Sequence, residues 1–280
     1  MLQIGNYRVA ALLVQEFALD GGAMFGVVPK VFWQQQAPAD ALNRVTLAAR
    51  LLLISGAGRN MLVDVGLGDA WSDKQRSIYA ISPFRLREEL QRFQLTADDI
   101  TDVILSHLHF DHIAGAFAVE NGGLVSLFPS ATFHVQERNL QVACHPHIKE
   151  KGSYLSPYID ALMQQCNDSL KQGECDLCKG VSLLVSNGHT QAQQLVKISD
   201  GKQTLLHGGD LLPSAAHLPL AWITSYDVEP LQAINEKTAL LETAMDEEWL
   251  LFFGHDPRYA AARIRRGEKG AEVAEYFEEL

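Results

Sequence analysis

The chain has 280 residues, 47% hydrophobic and 20% charged, an ordinary globular composition with length enough for a large core. Its formal net charge is −11, so it offers no basic surface to neutralise phosphates, and nucleic acid is a poor partner. No apolar run approaches the ~20 residues needed to span a bilayer, and the opening residues lack a basic leader with a small-residue cleavage site, so we expect a cytoplasmic protein without a membrane partner.

In chain order, MLQIGNYRVAALLVQEFALDGG at the start reads as a strand. Residues 47–54 (LAARLLLI) and 61–65 (MLVDV) are strand-like on either side of a Gly56–Asn60 turn, as in a hairpin. Residues 84–93 (FRLREELQRF) put Leu86, Leu90 and Phe93 on one helical face, and Thr96 with Asp99 looks like a capping box. Residues 103–105 (VIL) form a short buried strand. Pro230 suits a first helical position, after which Leu231, Ile234, Leu241 and Met245 keep helical spacing to Asp246. The ending DPRYAAARIRRGEKGAEVAEYFEEL reads as a charged terminal helix, with RIRRGEK (263–269) on a solvated face. No repeat or linker interrupts the chain, and strand-then-helix alternation in both halves points to a single α/β domain over residues 1–280.

Four cysteines are present: Cys144 apart, and Cys166, Cys175 and Cys178 as C-x8-C-x2-C. A structural zinc built from the three, or with His145 or His147, is conceivable, but no second C-x2-C supports one, so reduced thiols are the expectation.

Directly after the strand at 103–105 comes SHLHFDHIAG, with His107, His109, Asp111 and His112 inside six positions. Composition gives H-x-H-x-D-H by chance on the order of once in a thousand such chains. Three later segments share a grammar with it: VSLLVSNGH ends at His189, QTLLHGGD at Asp210 and WLLFFGH at His255. In each, an apolar run gives way to glycine and then to a ligand-type residue. A buried strand delivers its last residue to a sheet edge with little freedom, and the glycine lets the backbone turn there. Imidazoles and carboxylates without thiolate suit Zn²⁺, Fe or Mn. Seven ligands exceed what one tetrahedral ion uses, and sharing one carboxylate between two ions resolves the count. Asp111 and Asp210 offset only two of four positive charges, which favours a bridging hydroxide at neutral pH and a hydrolytic centre.

This pattern resembles the metallo-β-lactamase superfamily, whose hallmark H-x-H-x-D-H matches His107, His109, Asp111 and His112. The likeness runs from Asp64 in LVDVG through Asn187-Gly188-His189-Thr190 and Gly209-Asp210 to Gly254-His255. It implies a four-layer αββα sandwich and two divalent metal ions, zinc first, with Fe, Mn or Co as alternatives. By position, His107, His109 and His189 would hold one metal, Asp111, His112 and His255 the other, with Asp210 bridging and Asp64 steadying the histidine loop.

DGGAMFGVVPKVFW (20–33) is similar to the N-terminal segment of N-acyl homoserine lactone lactonases and of methyl-parathion-type hydrolases. That similarity implies that Met24 and Phe25 overhang the metals and contact substrate. The stretch 208–230 looks like the same branch. One departure stands out: those lactonases carry a tyrosine soon after the bridging aspartate, whereas Leu211, Leu212 and Pro213 follow Asp210 here. The next tyrosine is Tyr226, and Tyr226 or His217 would have to take its part.

Among other members, true β-lactamases usually differ at His112 and place a cysteine among the ligands. Glyoxalase II-like thioesterases share this ligand set but use C-terminal basic residues for glutathione. Diiron flavoproteins have glutamate where His109 stands, and persulfide dioxygenases use a single iron. The expectation is therefore a dinuclear metal-dependent hydrolase of small neutral or apolar lactones or esters. The bridging hydroxide would attack the carbonyl, with Asp111 relaying the proton. Phosphotriester hydrolysis, thioester hydrolysis and iron redox chemistry follow as alternatives. The expected partner is a small-molecule substrate, and a homodimer is compatible with the sequence.

Overall fold

The run Leu51-Leu52-Leu53-Ile54 shows how the layers arise. In a strand, successive side chains face opposite sides. Leu51 and Leu53 belong to one apolar cluster, while Leu52 and Ile54 belong to another. Both faces of this strand are therefore buried, which is why it reads as continuous hydrophobic sequence. The same division separates Leu205 from Leu206 and Leu250 and Phe252 from Leu251 and Phe253.

The structure is a computed structural model that describes residues 1–165, 169–268 and 270–280. Among the described residues, two seven-stranded sheets carry the fold. The first runs, in spatial order, Leu2–Ile4, Tyr7–Asp20, Arg44–Gly56, Arg59–Val63, Asp102–Ile104, Thr132–Gln136 and Leu170–Lys171. The second runs Cys175–Cys178, Val181–Ser186, Gln193–Ser199, Thr204–His207, Leu250–Phe252, Ala261–Gly267 and Gly270–Phe277. The cluster holding Val9, Leu52, Ile54 and Val63 from the first sheet with Val181, Val196, Leu205 and Phe252 from the second fills the space between them. Helices cover the outer faces: Leu86, Leu90, Tyr158, Ile159 and Leu162 pack on the first sheet, and Ala233, Leu240, Leu241 and Ala244 on the second. This is the expected αββα sandwich.

Pairing direction positions the site. Arg59–Val63 runs parallel to Asp102–Ile104, and Thr204–His207 runs parallel to Leu250–Phe252. Val181–Ser186 is two antiparallel steps from Thr204–His207 and so shares its direction. The C-terminal ends of each set share an edge, and the residues that follow them are Asp64, Ser106, His189, Asp210 and His255.

The hairpin of Arg44–Gly56 with Arg59–Val63 turns at Ala57 and Gly58, both at positive φ. The helix at Leu86–Gln91, the capping box of Thr96 and Asp99, and the helix Pro230–Asp246 with Pro230 in its first turn stand where the sequence places them. Two expectations are corrected. The buried face of Pro230–Asp246 is Ala233, Lys237, Leu240, Leu241 and Ala244, whereas Leu231 is exposed. The reason is a buried lysine: Lys237 Nζ donates to the carbonyls of His217, Pro219 and Trp222, which turns that side of the helix inward. The C-terminal stretch is not a helix but the hairpin Ala261–Gly267 with Gly270–Phe277. There Ile264 pairs with Val273 and Arg263 with Glu275, so the charged residues serve as cross-strand neighbours. Lys269 of the basic RIRRGEK run lies outside the described residues.

Cys144, Cys175 and Cys178 are free thiols, and Cys166 lies outside the described residues. No helix among the described residues is long and apolar enough to cross a membrane.

Candidate metal centre

The strand Asp102–Ile104 leads into Ser106 and His107, and a short helix, Phe110–Ile113, carries Asp111 and His112. His189 follows Val181–Ser186 through Gly188. A Cβ at Gly188 would lie 2.3 Å from Ala233 Cα, so the histidine loop packs backbone to backbone on the helix Pro230–Asp246. Asp210 follows Gly209, which has φ +50 and would press a side chain on Gln193. His255 follows Leu250–Phe252 through Gly254.

These ends bring seven side chains together in two groups. His107, His109 and His189 form one, and Asp111, His112, Asp210 and His255 the other, with the donor atoms of each within 4.8 Å of one another. His109 Nδ1 stands 3.0 Å from His107 Nε2 and 3.2 Å from His189 Nε2. His112 Nε2 stands 3.2 Å from His255 Nε2. Asp210 spans the groups: Oδ1 lies 3.1 Å from His255 Nε2 and 3.4 Å from His112 Nε2, while Oδ2 lies 3.5 Å from His189 Nε2. Asp111 Oδ2 is 3.5 Å from His255 Nε2 and 3.6 Å from His112 Nε2.

Four of the five opposite ring nitrogens are held by acceptors, and the fifth, His109 Nε2, is buried without a hydrogen-bond partner. His112 Nδ1 donates to Asp64 Oδ2 at 2.9 Å, His189 Nδ1 to Asp227 Oδ1 at 2.8 Å, and His255 Nδ1 to the Ala48 carbonyl at 2.8 Å. His107 Nδ1 lies 3.0 Å from Ser106 Oγ, which itself donates to Asp64. His109 Nε2 faces Glu150 Oε2 at 3.9 Å. With protons fixed on the outside, the inner nitrogens present lone pairs to one another, an arrangement that is repulsive until a cation sits among them. Asp210 Oδ1, buried and without a hydrogen-bond donor, adds an acceptor aimed at the same place. The residues present fit a pair of divalent cations.

Where no ion is bound the same acceptors attract protons. Burial opposes charge on His112, His189 and His255, but Asp111 and Asp210 hold His112 well above the usual imidazole range, Asp227 and Asp210 raise His189, and Asp210 raises His255. Burial and the neighbouring His112 and His109 hold His107 well below the usual imidazole range, in the neutral form that can ligate. Burial alone would raise Asp210, but His255 and His112 hold it well below the ordinary carboxylate range. Burial likewise opposes ionisation of Asp64, and His112 beside it prevails and keeps it low. Asp64 also sits at φ +59, a strained conformation for a side chain that is held by Ser106 and His112.

Above the ligands lies a cleft of about 230 Å³, lined by Leu19, Met24, Leu47, Tyr79 and Phe110 and, among polar groups, by Lys149, Ser153, Thr224 and Tyr226. Met24 borders it, as the sequence likeness implied. Phe25 does not: it is stacked between Trp33 at 5.3 Å and His217 at 4.8 Å and is 2% exposed. The reason is that Gly21–Phe25 is a short helix, which turns consecutive side chains about a third of a turn apart and sends Phe25 into the core. His217 is also not in the cleft, because its ring bridges Ser214 Oγ and the Met24 carbonyl. Tyr226 does line it, and burial together with the nearby Asp111 pushes its hydroxyl up to about 12, so it stays a donor.

Several groups escaped the sequence reading. Asp227 orients His189, and the spacing of Thr224 and Asp227, which hydrogen bond each other, was the only local hint. Glu150 and Tyr154 converge on Thr190 beside His109 from a loop with no pattern of its own. His207, buried near Asp64 at 3.8 Å, has its ring pushed down to about 4 by burial and ends a strand of the same edge.

Comparison with known proteins places these features. A family model described as metallo-beta-lactamase superfamily matches residues 51–255. The N-acyl homoserine lactonase AiiA of Bacillus thuringiensis subsp. kurstaki is 26% identical over 181 residues, covering 61% of this chain and 62% of that protein. The chain thus spans less than two thirds of the length of the curated relatives it matches. Among solved structures, a probable metal-dependent hydrolase from Staphylococcus aureus superposes with TM-score 0.90 at 28% identity, over 99% of this chain and 98% of that one. The dizinc quorum-quenching lactonase AidC, in complex with a product, superposes with TM-score 0.80 at 21% identity, over 97% and 95%.

Proposed function

Because the chain belongs to the metallo-beta-lactamase superfamily, we propose that it is a dinuclear metal-dependent hydrolase that opens acyl lactones. The observation that carries this reading is the division of Asp210, with Oδ1 toward His112 and His255 and Oδ2 toward His189. A carboxylate so placed could serve two cations at once. His107, His109 and His189 would hold one ion and Asp111, His112 and His255 the other, with Asp210 shared. Imidazole and carboxylate donors without thiolate suit zinc, and also iron, manganese or cobalt. Bound there, the two ions supply Lewis acidity and lower the pKa of water to ~7, which makes a nucleophile available at neutral pH.

The chain's own residues do the rest. Asp111, whose Oδ2 faces His112 and His255, accepts the proton of the attacking water and returns it to the departing oxygen. Tyr226, protonated and bordering the cleft, donates to the substrate carbonyl as charge develops on it, the part played by a tyrosine nearer Asp210 in the lactonases. Leu19, Met24, Leu47 and Phe110 give an acyl tail an apolar surface. The likeness to N-acyl homoserine lactonases and to the quorum-quenching lactonase AidC supports a lactone over other acyl substrates.

A screen of acyl lactones, methyl-parathion-like triesters and glutathione thioesters on one metal-loaded preparation tests this. Lactones should show the highest kcat/KM, rising with tail length by roughly fourfold per CH₂ until the wall is used. A triester or thioester turned over better than every lactone, with no trend in tail length, would move the assignment.

A further inference from the structure

The metal cleft is not uniformly apolar. Lys149 is the one lysine or arginine bordering it among the described residues. Its Nζ donates to the carbonyl of Ser225, which lies between the two cleft residues Thr224 and Tyr226, so these polar groups share one side of the mouth. An ammonium has three donors, and a neutral carbonyl takes one. The adjacent carboxylate, Glu150, turns away to Thr190 and Tyr154, and Lys149 enters no ion pair among the described residues. The chain as a whole carries −11, so a cation with spare donors at this one mouth is not part of a general basic surface.

Resting on the hydrolase reading above, we propose that Lys149 is a specificity residue that binds an anionic oxygen group, carboxylate or phosphate, borne by the substrate away from the bond that breaks. The substrate class is then amphipathic: an acyl lactone or ester with apolar atoms against Met24, Leu47 and Phe110 and an anionic terminus at Lys149. The hydrogen bond to Ser225 holds the ammonium at the mouth before substrate arrives, which lessens the ordering cost of binding. Because Lys149 is exposed, the attraction is moderate and sensitive to salt.

The test uses the metal-loaded protein and homoserine lactones with matched acyl tails ending in methyl, carboxylate or phosphate. At low salt, KM for an anionic tail should lie about fivefold below that for the methyl tail, and the gap should close near ~1 M salt. The carboxylate and phosphate arms show which terminus is preferred. Lys149→Met should raise KM for the preferred anionic tail about fivefold more than for the methyl tail, and Lys149→Arg should keep most of the preference. A preference that survives in Lys149→Met, or equal losses for all tails, would overturn the proposal and leave Lys149 as a tie between its loop and Ser225. Calorimetric binding of the ring-opened acids to wild type and Lys149→Met separates the two readings. If no lactone is hydrolysed, the lactonase reading fails, while selective loss of the anionic-tail acid in Lys149→Met still supports Lys149 and an unselective result refutes it.

Discussion

His189 and Asp227, 38 residues apart in the chain, are joined by a 2.8 Å hydrogen bond from Nδ1 to Oδ1. Asp227 is itself fixed by the backbone N–H and hydroxyl of Thr224. The bond settles which nitrogen of His189 keeps its proton, and so leaves Nε2 free to face His109 and Asp210. The loop that carries Thr224 and Tyr226 to the cleft mouth thereby also sets the orientation of a side chain proposed to hold a metal.

Asp227→Ala should therefore weaken the group of His107, His109 and His189 by about 10–100-fold in metal affinity. Competition with a chelator, followed by metal analysis, reads this directly. Unchanged metal retention would mean that packing alone holds the His189 ring.

Asp210→Ala removes the one carboxylate among the described residues that faces both groups. Bound metal should fall towards one ion or none per chain, and hydrolysis should be abolished. Full turnover with a single ion bound would sink the dinuclear reading.

Asp111→Asn keeps an oxygen beside His112 and His255 but no longer accepts a proton. General acid–base help is worth about 10²–10⁴ in rate, or ~3–5 kcal/mol, and kcat should fall by that order with at least one metal retained. A variant with both metals and full kcat would leave Asp111 a ligand only.

Asp102 provides a pH test away from the metals. Its carboxylate accepts hydrogen bonds from His134 Nε2 at 2.7 Å, Arg59 Nη1 at 3.0 Å and Thr101 Oγ1 at 2.6 Å. Burial would raise its pKa, but the bonds from His134 and Thr101 prevail and hold it below the usual carboxylate range. A lowered folded value means stability that is complete above the unfolded pKa of ~3.9 and is lost as pH falls through the folded value. In urea unfolding of metal-free protein, the gap between wild type and Asp102→Asn should be widest at about pH 6 and shrink below about pH 4. A gap that does not change with pH would show that the amide loses only packing.

The ligand set was readable in one dimension because its causes are local. His107, His109, Asp111 and His112 lie within six positions, and His189, Asp210 and His255 each follow a buried apolar strand and a glycine, so their places at a sheet edge follow from strand burial alone. The run 47–54 read as a strand from its apolar residues alone, and the structure adds that Leu51 to Ile54 are buried on both faces. Where two periods compete, local pattern was insufficient. Charges in 261–277 recur at spacings that suit a helix as well as a strand, and it was pairing with Leu250–Phe252 at the sheet edge that selected the hairpin. Leu231 lies two residues before the buried Ala233 and Phe25 directly after Met24, and which side chain a helix sends into the core or to the cleft depends on what it packs against: Lys237 reaching three carbonyls in one case, Trp33 and His217 in the other. The partners that tune the centre, Asp227 and Glu150, and the cation at its mouth, Lys149, come from loops without a repeating pattern. Only the folded path of the chain decides where a loop side chain arrives, because nothing in its own neighbourhood constrains it.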